Sequence, residues 1–136
     1  MKLLVALDDS EFASKALQEA LALAKVKGAT VTALTVVPHL GALEDVPPSV
    51  TEKMHAEAGN VIAKAKSEAE KCGIPLESAV RQGISPAETI LDFAEEYSVD
   101  LIVVGHRGKT GLAKFLMGSV AQQVVAHCPC SVLVVK

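Results

Sequence analysis

Aromatic side chains are scarce in this 136-residue chain, which contains no tryptophan, one tyrosine and three phenylalanines. Half of the residues are nevertheless apolar, so any buried core has to be assembled mainly from alanine, valine, leucine and isoleucine. The formal net charge is −3, from 13 basic and 16 acidic residues. General nucleic-acid binding requires a basic surface or rings on which bases can stack. The composition therefore argues against a nucleic-acid partner.

Long hydrophobic runs are also missing. The apolar stretches are far shorter than the roughly 20 residues that a membrane-spanning helix requires. Met1-Lys2 leads directly into an apolar run and a charged turn, without the pattern of a secretory signal. We therefore predict a cytoplasmic protein that does not insert into a membrane.

Cysteine is too scarce for a disulfide framework. Cys72, Cys128 and Cys130 make an odd count, which favours reduced thiols. The run His127-Cys128-Pro129-Cys130 lacks the second Cys/His cluster of a structural zinc site, and Cys-x-Cys is not the Cys-x-x-Cys redox spacing. We interpret it as packing at a helix–strand turn and predict no metal ligands from the protein.

Short apolar runs alternate with amphipathic helical patterns along the chain. They predict five strands, at residues 2–7, 30–37, 76–81, 100–104 and 131–136. Four helices lie between them, and their predicted starts are Asp8-Asp9-Ser10, Ser49–Glu52, Ser85–Glu88 and Ser119–Gln122. This order predicts an α/β fold, with a doubly wound, five-stranded parallel sheet and right-handed crossovers. We expect one domain over residues 1–136.

Residues 100–123 carry the clearest functional signal. An apolar run ends at Gly105, a basic loop with glycines follows, and Gly118-Ser119 opens a predicted helix. The N–H groups of such loops and of helix N-termini bind phosphate. Ligands of open α/β sheets bind at the carboxyl ends of strands where the strand order reverses, so we expect Asp8 beside Gly105. Asp8 then either contacts a ribose or a divalent cation, or simply caps the helix that follows.

Two common nucleotide fingerprints are absent. A Walker A loop would need glycine at position 103, which is valine. The GxGxxG pattern does not follow the first strand, where Asp8-Asp9-Ser10-Glu11 stands instead. The spacing that is present is Gly105-x2-Gly108-x9-Gly118-Ser119.

This spacing resembles the G-x2-G-x9-G-[S/T] motif of the ATP-binding branch of the universal stress proteins. The resemblance extends to the Val-Ala-Leu-Asp-Asp-Ser start at residues 5–10, to residues 83–90 and to residues 128–135. One departure is Ser131, where the family usually has proline. The resemblance implies a Rossmann-like, adenine nucleotide alpha hydrolase-like fold with strand order 3-2-1-4-5. It also implies an ATP-binding regulator of the stress response.

The resemblance further implies which residues form the pocket: Ala6, Asp8, Val36, Val104, Gly105, Gly108, Gly118, Ser119 and Val120. Asp8 would face the ribose or adenine, and the Val36 backbone would meet adenine. Residues 104–108 would surround the ribose and the first phosphates, and residues 118–120 would donate hydrogen bonds to the outer phosphates. The implied ligand is ATP, AMP or ADP, with Mg²⁺ bound through the phosphates. The family likeness also implies a homodimer formed through the C-terminal strand, with a protein partner that the sequence does not identify.

Catalytic machinery is not evident in the sequence. Rapid ATP cleavage requires a positioned base and exclusion of water, and no histidine is spaced so that it must lie near Ser119. We therefore predict no catalytic residues and at most weak ATP hydrolysis. The alternatives are a dimeric interaction module whose pocket is not used, and a slow ATP hydrolase.

Overall fold

The computed structural model describes residues 1–39, 46–108 and 117–136, and it confirms the predicted α/β architecture. The elements in chain order are β1 (Lys2–Ala6), α1 (Glu11–Lys27), β2 (Thr30–Pro38), α2 (Pro48–Lys71), β3 (Leu76–Gly83), α3 (Pro86–Glu96), β4 (Leu101–Gly105), α4 (Ser119–His127) and β5 (Ser131–Val135). All strand pairs are parallel, and the sheet order is β3-β2-β1-β4-β5. The strand order that the family resemblance implies is therefore confirmed.

The strand order reverses between β1 and β4. From β1 the chain builds outward through β2 to β3, then returns to place β4 on the other side of β1. The two central strands are in register at Leu4 with Ile102 and at Val5 with Val103. Their carboxyl ends therefore reach the same edge of the sheet together. In this class of fold that edge is where ligands bind.

The two faces of the sheet bury aliphatic side chains, as the composition predicts. One face forms the α1/α2 cluster, which includes Leu3, Val5, Ala16, Leu17, Ala20, Ile62, Ala65, Ala69 and Val103. The other face forms the α3/α4 cluster, which includes Leu4, Leu34, Ile90, Phe93, Ile102, Val104, Ala121 and Val124. The many alanines on the helices allow close packing against the strands. Each fully buried leucine contributes about 1.5–3 kcal/mol through loss of contact with water.

Two of the predicted helix starts are confirmed. The Ser10 hydroxyl accepts the Ala13 N–H at 3.1 Å, and the Ser85 hydroxyl accepts the Glu88 N–H at 3.3 Å. Each serine is therefore the N-cap residue of its helix, where it satisfies one of the amides that have no helical partner.

The other two predicted helix starts are wrong in detail. The second helix begins at Pro48 with Pro47 as the N-cap residue, so Ser49 is not the cap. Proline suits the first helical position because its φ is fixed and it has no N–H to satisfy. The last helix begins at Ser119, and its N-cap residue is Gly118. Because glycine has no side chain, the amides at the start of α4 receive no side-chain cap from this residue.

Within the described ranges, no helix combines the length and the apolar character needed to cross a bilayer.

Candidate functional site

Asp8 lies at the carboxyl end of β1 and stabilises the turn into α1. Its Oδ1 accepts the Ser10 N–H at 2.8 Å. The helix itself is capped by Ser10, so capping does not account for Asp8. The second carboxylate oxygen, Oδ2, faces Gly108, where an added Cβ would lie 3.1 Å from it. The expected proximity of Asp8 to the glycine loop is therefore observed, at Gly108.

Gly105, at the end of β4, packs against the first turn of α1. A Cβ at this position would lie 2.8 Å from both the carbonyl carbon and the Cβ of Phe12, and 2.9 Å from the Phe12 oxygen. Two of these atoms belong to the backbone, so they cannot move aside as a flexible side chain would. The sequence indicates only that glycine keeps this loop open to a phosphate. The structure adds that glycine is required for the close approach of α1 to β4.

Gly118 closes the other end of the same loop. Its N–H donates to the His106 carbonyl oxygen at 2.8 Å, and its Cβ would lie 3.1 Å from the Arg107 Cα. The start of α4 is therefore held directly against residues 106–108. The Gly118 N–H is therefore bonded within the protein in this arrangement. Residues 109–116, which include Lys109 and Lys114 of the basic loop, lie outside the described residues.

The loop is also tied to the last strand. The His106 N–H donates to the Val135 carbonyl oxygen at 2.7 Å. This bond continues the pairing of β4 with β5, in which Gly105 is opposite Val135. The position of residue 106 is thus fixed by both β5 and Gly118.

Phe12 lies beside the candidate site, and the sequence gives no indication of this position. The Arg107 guanidinium lies over its ring, 5.2 Å from the centroid, and the Lys15 ammonium lies 5.4 Å from the same centroid. The His106 ring is 6.2 Å away. Contacts of this cation–π type contribute about 0.5–1 kcal/mol each at exposed positions. Nothing in the sequence pattern links Phe12 to residues that follow it by more than 90 positions, so no sequence signal indicates this role.

The apolar residues assigned to the pocket lie on the side of the sheet that carries α3 and α4. Val104 is buried in the α3/α4 cluster, and Ala6, Val36 and Val120 are half-buried against it. Ser119 is exposed at the first position of α4. The structure thus brings Asp8 together with Gly108, and Gly108 together with Gly118. The half-buried Ala6 and Val36 lie in the neighbouring strands β1 and β2.

A concave surface lies elsewhere, at the edge of the sheet. A groove of about 360 Å³ separates the end of β3 from α3, and β2 and β1 stand between it and the glycine loop. Its charged lining residues are Arg81, Glu88, Asp92 and Glu96. An excess of carboxylates is unsuitable for a phosphate ligand. Among the described residues, no three histidine, cysteine or carboxylate side chains are grouped so that they could hold a metal ion.

Comparisons with known proteins identify similar sequences and similar folds. A model of the universal stress protein family matches residues 1–136. A universal stress protein of Methanocaldococcus jannaschii is 37% identical over 139 residues, covering 99% of this chain and 81% of the relative. The solved structure of universal stress protein UspA from Lactobacillus plantarum superimposes with a TM-score of 0.86 at 32% identity, covering 100% of this chain and 97% of that one. A universal stress protein from Archaeoglobus fulgidus, solved in complex with dAMP, has a TM-score of 0.78 at 27% identity, with 100% and 98% covered.

The close contact at Gly105 leads to a prediction about the free energy of unfolding. We expect Gly105→Ala to lower the free energy of unfolding by about 2 kcal/mol or more, because the new methyl group overlaps the Phe12 backbone. The matched control is Gly59→Ala in α2, where an added Cβ meets nothing within 4 Å. This control should raise the free energy of unfolding by about 0.5–1 kcal/mol, since alanine is the better helix former. Urea unfolding of the two variants measures both values, and equal stabilities would contradict the role given to Gly105.

Proposed function

Because the chain belongs to the universal stress protein family, we propose that residues 1–136 act as one domain that binds ATP or a related adenine nucleotide and serves as a nucleotide-dependent regulator in the stress response. The observation that carries this proposal is the meeting of Asp8, Gly108 and Gly118 where the strand order reverses. The carboxylate of Asp8, the glycine backbone at position 108 and the start of α4 lie next to one another there. Each suits a different part of a nucleotide.

The start of α4 is the proposed phosphate site. The N-terminus of a helix carries partial positive charge and N–H groups that point out of the helix. Since the Gly118 N–H donates to His106, we assign the phosphate contacts to the N–H groups of Ser119 and Val120 and to the Ser119 hydroxyl. Gly118 contributes by letting the loop close tightly, and Gly108 leaves room for the ligand beside Asp8. The Arg107 side chain, placed over Phe12, adds positive charge nearby.

The nucleoside is proposed to lie between Asp8 and the end of β2. Asp8 Oδ2 would accept hydrogen bonds from ribose hydroxyls, and the Val36 backbone would meet the adenine. The half-buried Ala6 would supply apolar surface below the base, and the buried Val104 would border the ribose. The dAMP complex of the Archaeoglobus fulgidus protein supports an adenine nucleotide as the ligand class. The number of phosphates, and Mg²⁺ bound through them, are part of the proposal.

We propose that binding, and not turnover, is the activity. In residues 1–39, 46–108 and 117–136, none of the hydrogen bonds joins Ser119 to a histidine or a carboxylate. A phosphoryl-transfer enzyme requires a residue that orients or deprotonates the attacking water. We therefore propose at most weak ATP hydrolysis.

The phosphate assignment predicts a selective loss of affinity. We expect Ser119→Ala to raise the Kd for ATP with Mg²⁺ about tenfold, because a hydrogen bond to a charged group contributes about 1.5–3 kcal/mol. Isothermal titration calorimetry measures this change. The matched control is Ser49→Ala, since Ser49 is also an exposed serine in the first turn of a helix and does not cap it. Equal affinities of the two variants would remove the assignment of Ser119.

The proposed role of Asp8 predicts a second effect. Asp8→Asn keeps an oxygen that can accept the Ser10 N–H but loses the charge, so the turn is preserved while ribose binding is weakened. We expect about a tenfold rise in the Kd for ATP, with no change in the affinity for inorganic tripolyphosphate. Repeating the titration with EDTA distinguishes two contacts. A loss of affinity that persists without Mg²⁺ indicates that Asp8 contacts the ribose. A loss of affinity that disappears without Mg²⁺ indicates that Asp8 contacts the cation. An unchanged Kd in both buffers would leave Asp8 with a structural role alone.

We also propose a homodimer that forms through β5. Among the described residues, this strand is at the edge of the sheet and pairs only with β4. Leu133 in its centre is 37% exposed, and Val125 on the neighbouring α4 is 47% exposed. An exposed apolar edge strand is a surface that favours pairing with a second chain. A dimer without nucleotide affinity would favour the alternative function, an interaction module whose pocket is not used.

The dimer proposal predicts the effect of a charge in the edge strand. We expect Leu133→Lys to shift the protein from dimer to monomer, because a lysine facing another copy of itself adds repulsion and loses apolar contact. Size-exclusion chromatography with light scattering measures the mass. Val26→Lys on α1, where Val26 is 84% exposed, is the matched control and should remain a dimer. A wild-type monomer at all concentrations would refute the proposal.

A further inference from the structure

Two cysteine sulfurs are in contact at the turn between α4 and β5. The Sγ atoms of Cys128 and Cys130 are 3.3 Å apart, with only Pro129 between the two residues. Both side chains are half-buried against the α3/α4 cluster. Cys72, by contrast, is exposed at the end of α2. The chain therefore contains one thiol pair and one thiol of a different kind.

The surrounding structure holds the pair in place from both sides. The Cys128 N–H donates to the Val124 carbonyl oxygen at 2.9 Å, which fixes Cys128 to the last turn of α4. Cys130 precedes β5, and its Sγ lies 3.6 Å from the Ser131 carbonyl oxygen. The contact of the two sulfurs is thus set by the ends of two elements that pack on the same core.

We propose that Cys128 and Cys130 form a thiol–disulfide exchange site, which reacts with a low-molecular-weight disulfide such as oxidised glutathione and closes to an intramolecular disulfide. A disulfide bond is about 2.05 Å long, so the two sulfurs need to approach by roughly 1 Å from their separation of 3.3 Å. This site is separate from the proposed nucleotide site and does not depend on it.

The exchange proceeds in two balanced steps. The Cys128 thiolate attacks one sulfur of oxidised glutathione, whose S–S bond breaks, and one glutathione thiolate leaves and takes up a proton. Cys130 then loses its proton, and its thiolate attacks the Cys128 sulfur of the mixed disulfide and releases the second glutathione. Two protein thiols are oxidised to one disulfide, and one glutathione disulfide is reduced to two thiols.

The environment assigns the two cysteines different roles. Burial raises the pKa of Cys130 from 9.0 to about 11, and the hydrogen bond and charge of Cys128 add to this effect, as does the charge of Asp100. Cys130 is therefore a poor first nucleophile, and Cys128 is the attacking thiol. Formation of the mixed disulfide removes the charge of Cys128. The closing step then depends on the small thiolate fraction of Cys130 and on its closeness to Cys128.

A zinc site fits these residues less well. Structural zinc requires four ligands, usually from two separate chain segments. In the part of the chain that the structure describes, no third histidine, cysteine or carboxylate joins the pair. A disulfide needs only the two sulfurs that are already in contact. A disulfide across so few residues removes little chain entropy, so we expect it to be readily reversible.

The test uses the full chain with Cys72→Ser, so that only the pair reacts. The protein is incubated with oxidised glutathione at low protein concentration, quenched with acid and weighed intact by mass spectrometry. We expect the mass to fall by two hydrogens, and dithiothreitol to restore it. The rate of closure should rise about tenfold per pH unit between pH 7 and 9, since the thiolate fraction of a thiol rises tenfold per unit below its pKa.

Single-cysteine controls make the assignment specific. In the Cys72→Ser background, Cys130→Ala should hold one glutathione that persists, because no second thiol is present to displace it. Cys128→Ala should react more slowly than Cys130→Ala, because only the thiol with the raised pKa remains. A stable glutathione adduct on the Cys72→Ser protein, or disulfides formed only between chains, would overturn the proposal. Circular dichroism checks that each variant retains its fold.

Discussion

The close approach of α1 to the end of β4 is the contact on which the geometry of the site depends. Gly105 permits it, because any side chain there would overlap the backbone of Phe12. With α1 seated in this way, the turn that carries Asp8 lies beside Gly108, and Phe12 is placed under Arg107. One missing methyl group therefore sets the distance between the two chain segments from which the site is built. This is a steric constraint, and it applies whether or not a ligand is present.

The start of α4 differs from the starts of the other described helices in its N-cap residue. Of the helices that the structure describes, α1, α2 and α3 have a serine or proline as the N-cap residue, which satisfies or removes an N–H group. At α4 the N-cap residue is glycine, and its own N–H is used to close the loop. The first N–H groups of this helix therefore receive no capping hydrogen bond from the side chain of residue 118. An uncapped helix start costs stability, and it is well suited to an anionic ligand, which supplies the missing acceptors.

Much of the fold follows from local sequence patterns. The continuous apolar runs identify β1 and β4, and Ser10 and Ser85 mark their helices because a serine hydroxyl and a helix amide interact over three residues. The pattern fails at Ser49 and Ser119, where proline or glycine beside the serine determines the first helical residue. The part of the candidate site that could be predicted is the nearness of Asp8 to the glycine loop. The contact of Phe12 with Gly105 and the contact between Cys128 and Cys130 depend on how elements pack, which local spacing does not encode.

The hydrogen bond from His106 to the carbonyl of Val135 has a mechanical consequence. Residue 106 bonds on one side to the outermost strand and on the other to Gly118, at the head of α4. A sliding of β5 along its own axis must therefore either drag this loop with it or break the bond. The edge strand of the sheet and the start of α4 are joined through two hydrogen bonds, so strain applied at one is transmitted to the other.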